Sequence, residues 1–585
     1  MNFQTNEPKP FASVTTAEYD AWFPKDRPID KPELFELGLV LAGAISAGAY
    51  TAGVMDFLFQ ALDAWHAAKA AGEDVPMHEV KLKIMTGASA GGMNAAIAAV
   101  ACRKDFPHIT EEHHNRDGEK NPFYKAWVKS IDIENLLTTD DLKEGQPVGS
   151  LLNCQSLDAI IKDVLEFQGS ASQASRRAWL DDPFQVVLTL TNLSGVPYGV
   201  RFSGQTKLYH EMVLHRDDIR FGVPVLKEIA KGAVSPDVIP LGCAASPEDS
   251  GWNSLGVSAL ATGAFPLALA PRQIERQRTD YEYRYAYMNS KGEHIYAQPW
   301  PSGAKDTHKF YSVDGGAMNN EPFEIARSFL SGSAGKNPRE GNKSQRAIVM
   351  IDPFSDAGAP FDMPEASLPA IVKRLFAAYK QQSRFNQIDL SLAEAGDVYS
   401  RFLVAPSRGS KRGQEAIASG GLGGFLGFFG EDLRRHDFLL GRANCQRFLR
   451  DWFVLPVGAE GNPIFNAAAT SQNARDNPAF RSLSKDRADH MQIIPLVGGL
   501  DKNLPLPCWS GMKCKGYADL EVAIENRVDR VYKGVRDGMT KDLSFTKRLI
   551  ARTYLWPAWK FYLRSKLLDT AKTAINDAIE ALKKG

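Results

Sequence analysis

Three short stretches of this 585-residue chain hold residues whose types and spacing can do chemistry. In Gly87-Ala88-Ser89-Ala90-Gly91 a serine stands between two glycines. An apolar run (Val80 to Met85) precedes it, and a small-residue helical pattern (Asn94 to Ala101) follows. A serine at a strand-to-helix turn of this kind is a nucleophile elbow. The backbone turns so sharply there that bulky neighbours would clash, and the start of the helix aims free N–H groups at a reacting oxygen. In Gly43-Ala44-Ile45-Ser46-Ala47-Gly48 a second small-residue turn joins an apolar strand (Leu37 to Leu41) to a helical pattern marked by Val54, Phe57, Leu58, Leu62 and Trp65. Such a turn can cradle a phosphate or an oxyanion. It lacks the lysine and hydroxyl of a Walker loop and the middle glycine of a dinucleotide fingerprint. In Asp314-Gly315-Gly316 an aspartate ends a short apolar strand, before a helix starting near Pro322. Aspartate before glycine also starts turns and caps helices, so its role depends on its neighbours in space.

The elements that must position these residues alternate between strand and helix patterns. Phe184 to Thr191 reads as a strand with Tyr198 to Phe202 as its pairing partner, and Ala347 to Ile351 as another buried strand. Ser254 to Pro266 reads as a small-residue helix. The expectation is an α/β fold with a central, mostly parallel sheet between helices. Residues 1–32 form an extended, proline-rich arm, and 33–358 the α/β domain, with surface insertions near 103–150 and 272–310. His108, His113 and His114 fall in the first insertion among charges and read as solvated. Residues 359–585 form a mainly helical region, with patterns over Leu368 to Phe385, Asp437 to Phe453 and Asp519 to Tyr532. A glycine-aromatic run, Gly420 to Gly430, reads either as a loop with its phenylalanines in the core or as an apolar lip over a greasy site.

Composition narrows the function classes. The chain has 69 Lys plus Arg and 69 Asp plus Glu, so no net charge calls for nucleic acid. Its six cysteines are scattered, without a disulfide framework or a zinc pattern, and no metal is expected. Two uncharged runs, Leu37 to Met55 and Ile84 to Cys102, are rich in Gly, Ala, Ser and Thr and read as buried α/β core rather than membrane spans. The first residues lack a basic region followed by an apolar one, which points to a cytoplasmic protein.

In this order the turn, the elbow and Asp-Gly-Gly resemble the patatin-like phospholipases, over about residues 35 to 355. Ala261-Thr262-Gly263-Ala264-Phe265-Pro266 resembles the family's helix before its aspartate. Phe428 to Phe438 is similar to a segment of larger bacterial patatin-related proteins. The resemblance implies a patatin-like three-layer α/β/α sandwich and a Ser–Asp dyad. Ser89 would be the nucleophile, and Asp314 would take its proton and return it to the leaving group. Gly87, Gly91, Gly315 and Gly316 complete the motifs, and no cofactor is implied. A carboxylate serves as such a base when held within hydrogen-bond reach in a partly desolvated site.

The chain departs from the family at the oxyanion turn. Its second and third glycines are Ala44 and Ile45, and its basic residue is Ala47. Backbone N–H groups of Gly43, Ala44 and Ile45, with that of Ala90, still suit an oxyanion if the φ angles at 44 and 45 stay negative. The function these features imply is hydrolysis of lipid acyl esters through an acyl-enzyme. The alternative is a weak or inactive lipid- or protein-binding module on the same fold. The rival mechanism, a Ser–His–Asp triad, would need His490 or His436, and both sit among charges and read as surface residues. Residues 541–566 carry seven basic residues and one acid, interleaved with Tyr554, Trp556, Trp559 and Tyr562. They suit either a helix packed by its rings or peripheral contact with an anionic membrane.

Overall fold

Short apolar runs without polar alternation become strands covered on both faces, and that rule builds the centre of this molecule. The computed structural model describes residues 16–29, 31–169, 177–201, 209–288, 294–296, 306–333, 335–355, 371, 378, 398–458, 460–466, 468–540 and 564–584. The strands up to residue 404 are β1 (Leu34–Leu41), β2 (Glu79–Gly87), β3 (Leu180–Arg201), β4 (Tyr209–Val223), β5 (Val238–Pro240), β6 (Arg272–Gln277), β7 (Tyr285–Met288), β8 (His294–Tyr296), β9 (Thr307–Asp314), β10 (Arg346–Ile351) and β11 (Arg401–Val404), and four short ones follow. Nine of them form one sheet in the order β11-β10-β1-β2-β3-β4-β5, with β9 paired to β3 and β6 to β9. The run from β11 to β3 is parallel, while β4 and β9 lie antiparallel to β3.

The helices that bear on the site are α1 (Thr16–Trp22), α2 (Gly48–Ala70), α3 (Ala90–Ala101), α4 (Ser250–Thr262), α5 (Phe323–Ser331) and α6 (Glu431–Asp451). Alternate residues of the strands face opposite ways. Val40, Ile84, Val187 and Ile348 pack against Phe323, Ala326 and Leu330 of α5 on one face. Leu39, Leu41, Met85, Val186 and Leu188 join the larger core with α2, α3 and α4 on the other. The layers are therefore α/β/α, as expected. The two uncharged runs are a strand, turn and helix each, and no helix among the described residues is long and apolar enough to cross a membrane.

Several expectations about peripheral parts are corrected. Tyr198 does not start a second strand against Phe184–Thr191. The chain continues as the single strand β3, whose partner is β4. Residues 103–150 are not a surface insertion: Phe123, Tyr124 and Trp127 are buried. His108 is tied by Nδ1 to the buried Asp56 carboxylate at 2.9 Å rather than solvated. The charges around residues 111–120 mask these apolar anchors in a composition reading. Within 272–310, β6 joins the main sheet. The arm is helical at α1, and the sheet runs past residue 358 to include β11. Leu426, Phe428 and Phe429 of the glycine-aromatic run are buried, in keeping with the loop reading. The helical pattern of 368–385 and residues 541–563 lie outside the described residues, except positions 371 and 378.

Candidate active site

β2 ends at Gly87 and α3 begins at Ala90, which leaves Ser89 on the turn with φ +51 and ψ −128. A serine adopts this left-handed backbone only when its surroundings impose it. Two contacts do so. The Ser89 N–H donates to Thr262 Oγ1 at 2.9 Å. Gly91 lies so close to the end of β1 that a Cβ on it would stand 2.1 Å from the Leu41 carbonyl oxygen.

Strand register brings the aspartate to the serine. Gly87 of β2 is level with Leu188 of β3, and Leu190 of β3 is paired with Asp314 of β9. Ser89, two residues beyond Gly87, thus arrives opposite Asp314. Ser89 Oγ donates to Asp314 Oδ2 at 2.7 Å. The other carboxylate oxygen, Oδ1, accepts the Gly316 N–H at 2.7 Å. The backbone of Asp314 is pinned as well: its N–H donates to the Ala264 carbonyl at 2.9 Å, and its carbonyl accepts from Thr191 Oγ1 at 2.8 Å. Gly315 is required by packing, since a Cβ there would meet the Thr189 oxygen at 2.1 Å. Ser89 and Asp314 are 6% and 5% exposed, so the pair sits in a desolvated setting that strengthens a charge-assisted hydrogen bond.

The turn 43–48 lies beside this pair. A Cβ on Gly43 would come within 3.0 Å of Ser89 Cβ and 2.4 Å of Asn320 Oδ1. Among the described residues no hydrogen bond takes the N–H of Gly43, Ala44, Ile45 or Ala90. Ile45 corrects the expectation of negative angles: its φ is +50. A left-handed backbone of the kind that glycine adopts freely is here carried by a β-branched residue.

Sequence reasoning gave no role to Thr262, Asn320 and Ser46. Thr262 lay inside the quoted Ala-Thr-Gly-Ala-Phe-Pro stretch, and Asn320 five residues after Gly315, but only packing reveals what they touch. The histidine candidates are elsewhere and are buried rather than on the surface. His490 is bonded to Tyr399 Oη at 2.9 Å and to Asp489 at 2.6 Å. His436 is bonded to Asp437 at 2.9 Å and meets the Trp509 ring edge-on. Among the described residues neither bonds to Ser89. A cavity of about 590 Å³ lies on the α5 side of the sheet, walled in part by Ile84, Val187 and Phe323. Its described walls include neither Ser89 nor Asp314.

With this geometry in hand, comparison with known proteins gives three findings. A family model described as patatin-like phospholipase matches residues 39–327, a span that holds all three stretches. A protein of Sinorhizobium fredii (strain NBRC 101917 / NGR234), described as uncharacterized protein y4iI, is 34% identical over 536 residues, covering 84% of this chain and 75% of its own length. The crystal structure of VipD from Legionella pneumophila aligns with 60% of this chain and 53% of its own, at 14% identity and a TM-score of 0.19. This chain thus spans about half of VipD, and a score at that level carries no argument.

Proposed function

Since this chain belongs to the patatin-like phospholipase family, we propose that it hydrolyses acyl esters of lipids with Ser89 as nucleophile and Asp314 as its base. The observation that carries the reading is the 2.7 Å hydrogen bond from Ser89 Oγ to Asp314 Oδ2 in a buried setting. As Ser89 Oγ attacks the ester carbonyl, its proton passes to Oδ2. The Gly316 N–H on Oδ1 keeps the carboxylate aimed. Charge that develops on the carbonyl oxygen is met by the N–H groups of Gly43, Ala44, Ile45 and Ala90. Fixed dipoles placed where charge develops are the largest single source of rate in acyl transfer. Asp314 then gives the proton to the departing alcohol. In the second half it takes a proton from the water that attacks the acyl-enzyme and returns it to Ser89 Oγ as the acyl–oxygen bond breaks and the acid departs.

The chemistry is assigned to the α/β part of the chain, whose sheet runs from β1 to β11 and so extends past residue 358. Peripheral contact with an anionic membrane is assigned to residues 541–566, whose rings and cations suit a headgroup zone. The strained Ile45 favours one second reading, a non-catalytic lipid- or protein-binding module on this fold.

Reaction with a fluorophosphonate decides between them. The expected result is covalent label on Ser89 in the wild type and none in Ser89→Ala, which keeps its fold because a small residue suits the elbow. A wild-type chain that stays unlabelled while remaining folded overturns the catalytic reading.

A further inference from the structure

Ile45 holds a backbone that its own side chain opposes. At φ +50 a β-branched residue crowds the neighbouring carbonyl, which glycine does not. Such a conformation persists only where neighbouring groups over-determine it. The next residue supplies the constraint. Ser46 is fully buried. Its hydroxyl donates to the carbonyl of Gly424 and accepts the N–H of Gly427 at 3.1 Å. Both partners approach closely. A Cβ on Gly427 would stand 2.5 Å from Ser46 Oγ, and one on Gly424, whose φ is +98, would stand 3.5 Å from Ile45 Cβ.

The glycine-aromatic segment is itself fixed from α6. Arg434 Nη1 donates to the Gly427 carbonyl at 2.7 Å, and its Nε and Nη2 hold the Val128 carbonyl at 3.1 and 2.9 Å. The Asp437 carboxylate accepts the N–H groups of Ala418 at 2.7 Å and Ser419 at 3.0 Å. A chain of contacts therefore runs from α6 through Gly424 and Gly427 to Ser46, and from Ser46 to the turn beside Ser89.

We propose that Ser46 is a positioning residue: clamped by Gly424 and Gly427, it holds Ile45 in the left-handed conformation that presents the N–H groups of residues 43–45 to the reacting carbonyl. In this chain a hydroxyl clamp does the work that a glycine at position 45 would do by conformational freedom. The kinetic side of this inference rests on the acyl-hydrolase reading, and its stability side does not.

The test is a double-substitution cycle of Ser46→Ala and Ile45→Gly, singly and together, with p-nitrophenyl butyrate as a soluble substrate. Ser46→Ala should lower kcat by on the order of tenfold or more with KM little changed, as expected when oxyanion donors are misplaced. Adding Ile45→Gly should restore most of that loss, because glycine needs no clamp to keep φ positive. The Tm loss from Ser46→Ala should likewise be smaller in the Ile45→Gly background. Equal losses in both backgrounds, with the fold verified by circular dichroism, overturn the clamp and leave Ser46 as packing. Should Ser46→Ala alone be insoluble, the double variant is expected to fold, and its failure to do so also overturns the proposal. If the wild type neither turns over ester nor takes up a fluorophosphonate, the hydrolase reading falls, and the Tm cycle by itself decides the clamp.

Discussion

Asp56 of α2 and Arg442 of α6 form an ion pair sealed from solvent, with 0% and 3% of their side chains exposed. The carboxylate also accepts from Asn121 Nδ2 at 2.7 Å and the Ile109 N–H at 3.3 Å, and is bonded to His108. The half of the chain that holds Ser89 and Asp314 and the C-terminal half are joined at this point. Burial pushes the Asp56 carboxyl up, but Arg442 and His108 outweigh it and hold it below the ordinary carboxylate value.

Arg442→Ala leaves that carboxylate buried without its main counter-charge. The expected cost is on the order of 3–5 kcal/mol of stability, read from urea unfolding near neutral pH. An unchanged midpoint would show that the pair contributes nothing net.

The pH dependence follows in sign. In the wild type the folded pKa of Asp56 lies below its unfolded value, so this stabilisation is present above about pH 4 and lost as pH falls through the folded value. In Arg442→Ala burial dominates and raises the folded pKa. Protonation then relieves the variant, and the stability gap to wild type should narrow as pH is lowered from about 7 toward about 4. A gap that widens over that range would contradict the assignment.

Asp314→Asn keeps the shape of the site and removes the group proposed as the base. Ester hydrolysis should fall on the order of a hundredfold or more. His490→Ala and His436→Ala should leave kcat/KM within a few-fold once stability is checked, since neither ring bonds to Ser89. A histidine variant as inactive as Ser89→Ala would replace the dyad with a triad.

Gly53 of α2 faces α6 so closely that a Cβ would stand 1.9 Å from the Phe438 carbonyl oxygen. The obstacle is backbone and cannot rotate away. Gly53→Ala should therefore destabilise by about 1–3 kcal/mol through overpacking, despite alanine's better helix propensity. A higher Tm for this variant would mean that the helices separate without cost.

Vesicle co-sedimentation tests the membrane assignment. Binding should require anionic lipid, weaken as salt rises and drop in Trp556→Ala/Trp559→Ala/Arg552→Ala. Equal binding by that folded triple variant removes residues 541–566 as the contact.

The sequence by itself determined the elements whose signal is local. The elbow, the small-residue turn and Asp-Gly-Gly were legible because close backbone approach admits only small residues, and the buried parallel strands because they are unbroken apolar runs. Tertiary structure alone decided which distant groups meet. The register of β2, β3 and β9 sets Asp314 against Ser89, and no local pattern encodes a register between strands so far apart in the chain. The sign of φ at Ile45 was likewise invisible: propensity favours the negative value for isoleucine, and the opposite one is held by Ser46 and a glycine segment 378 residues away. His108 and the aromatic residues of 121–128 were misread as surface because composition averages over charges, whereas burial is settled by which face each residue turns to α2 and α6.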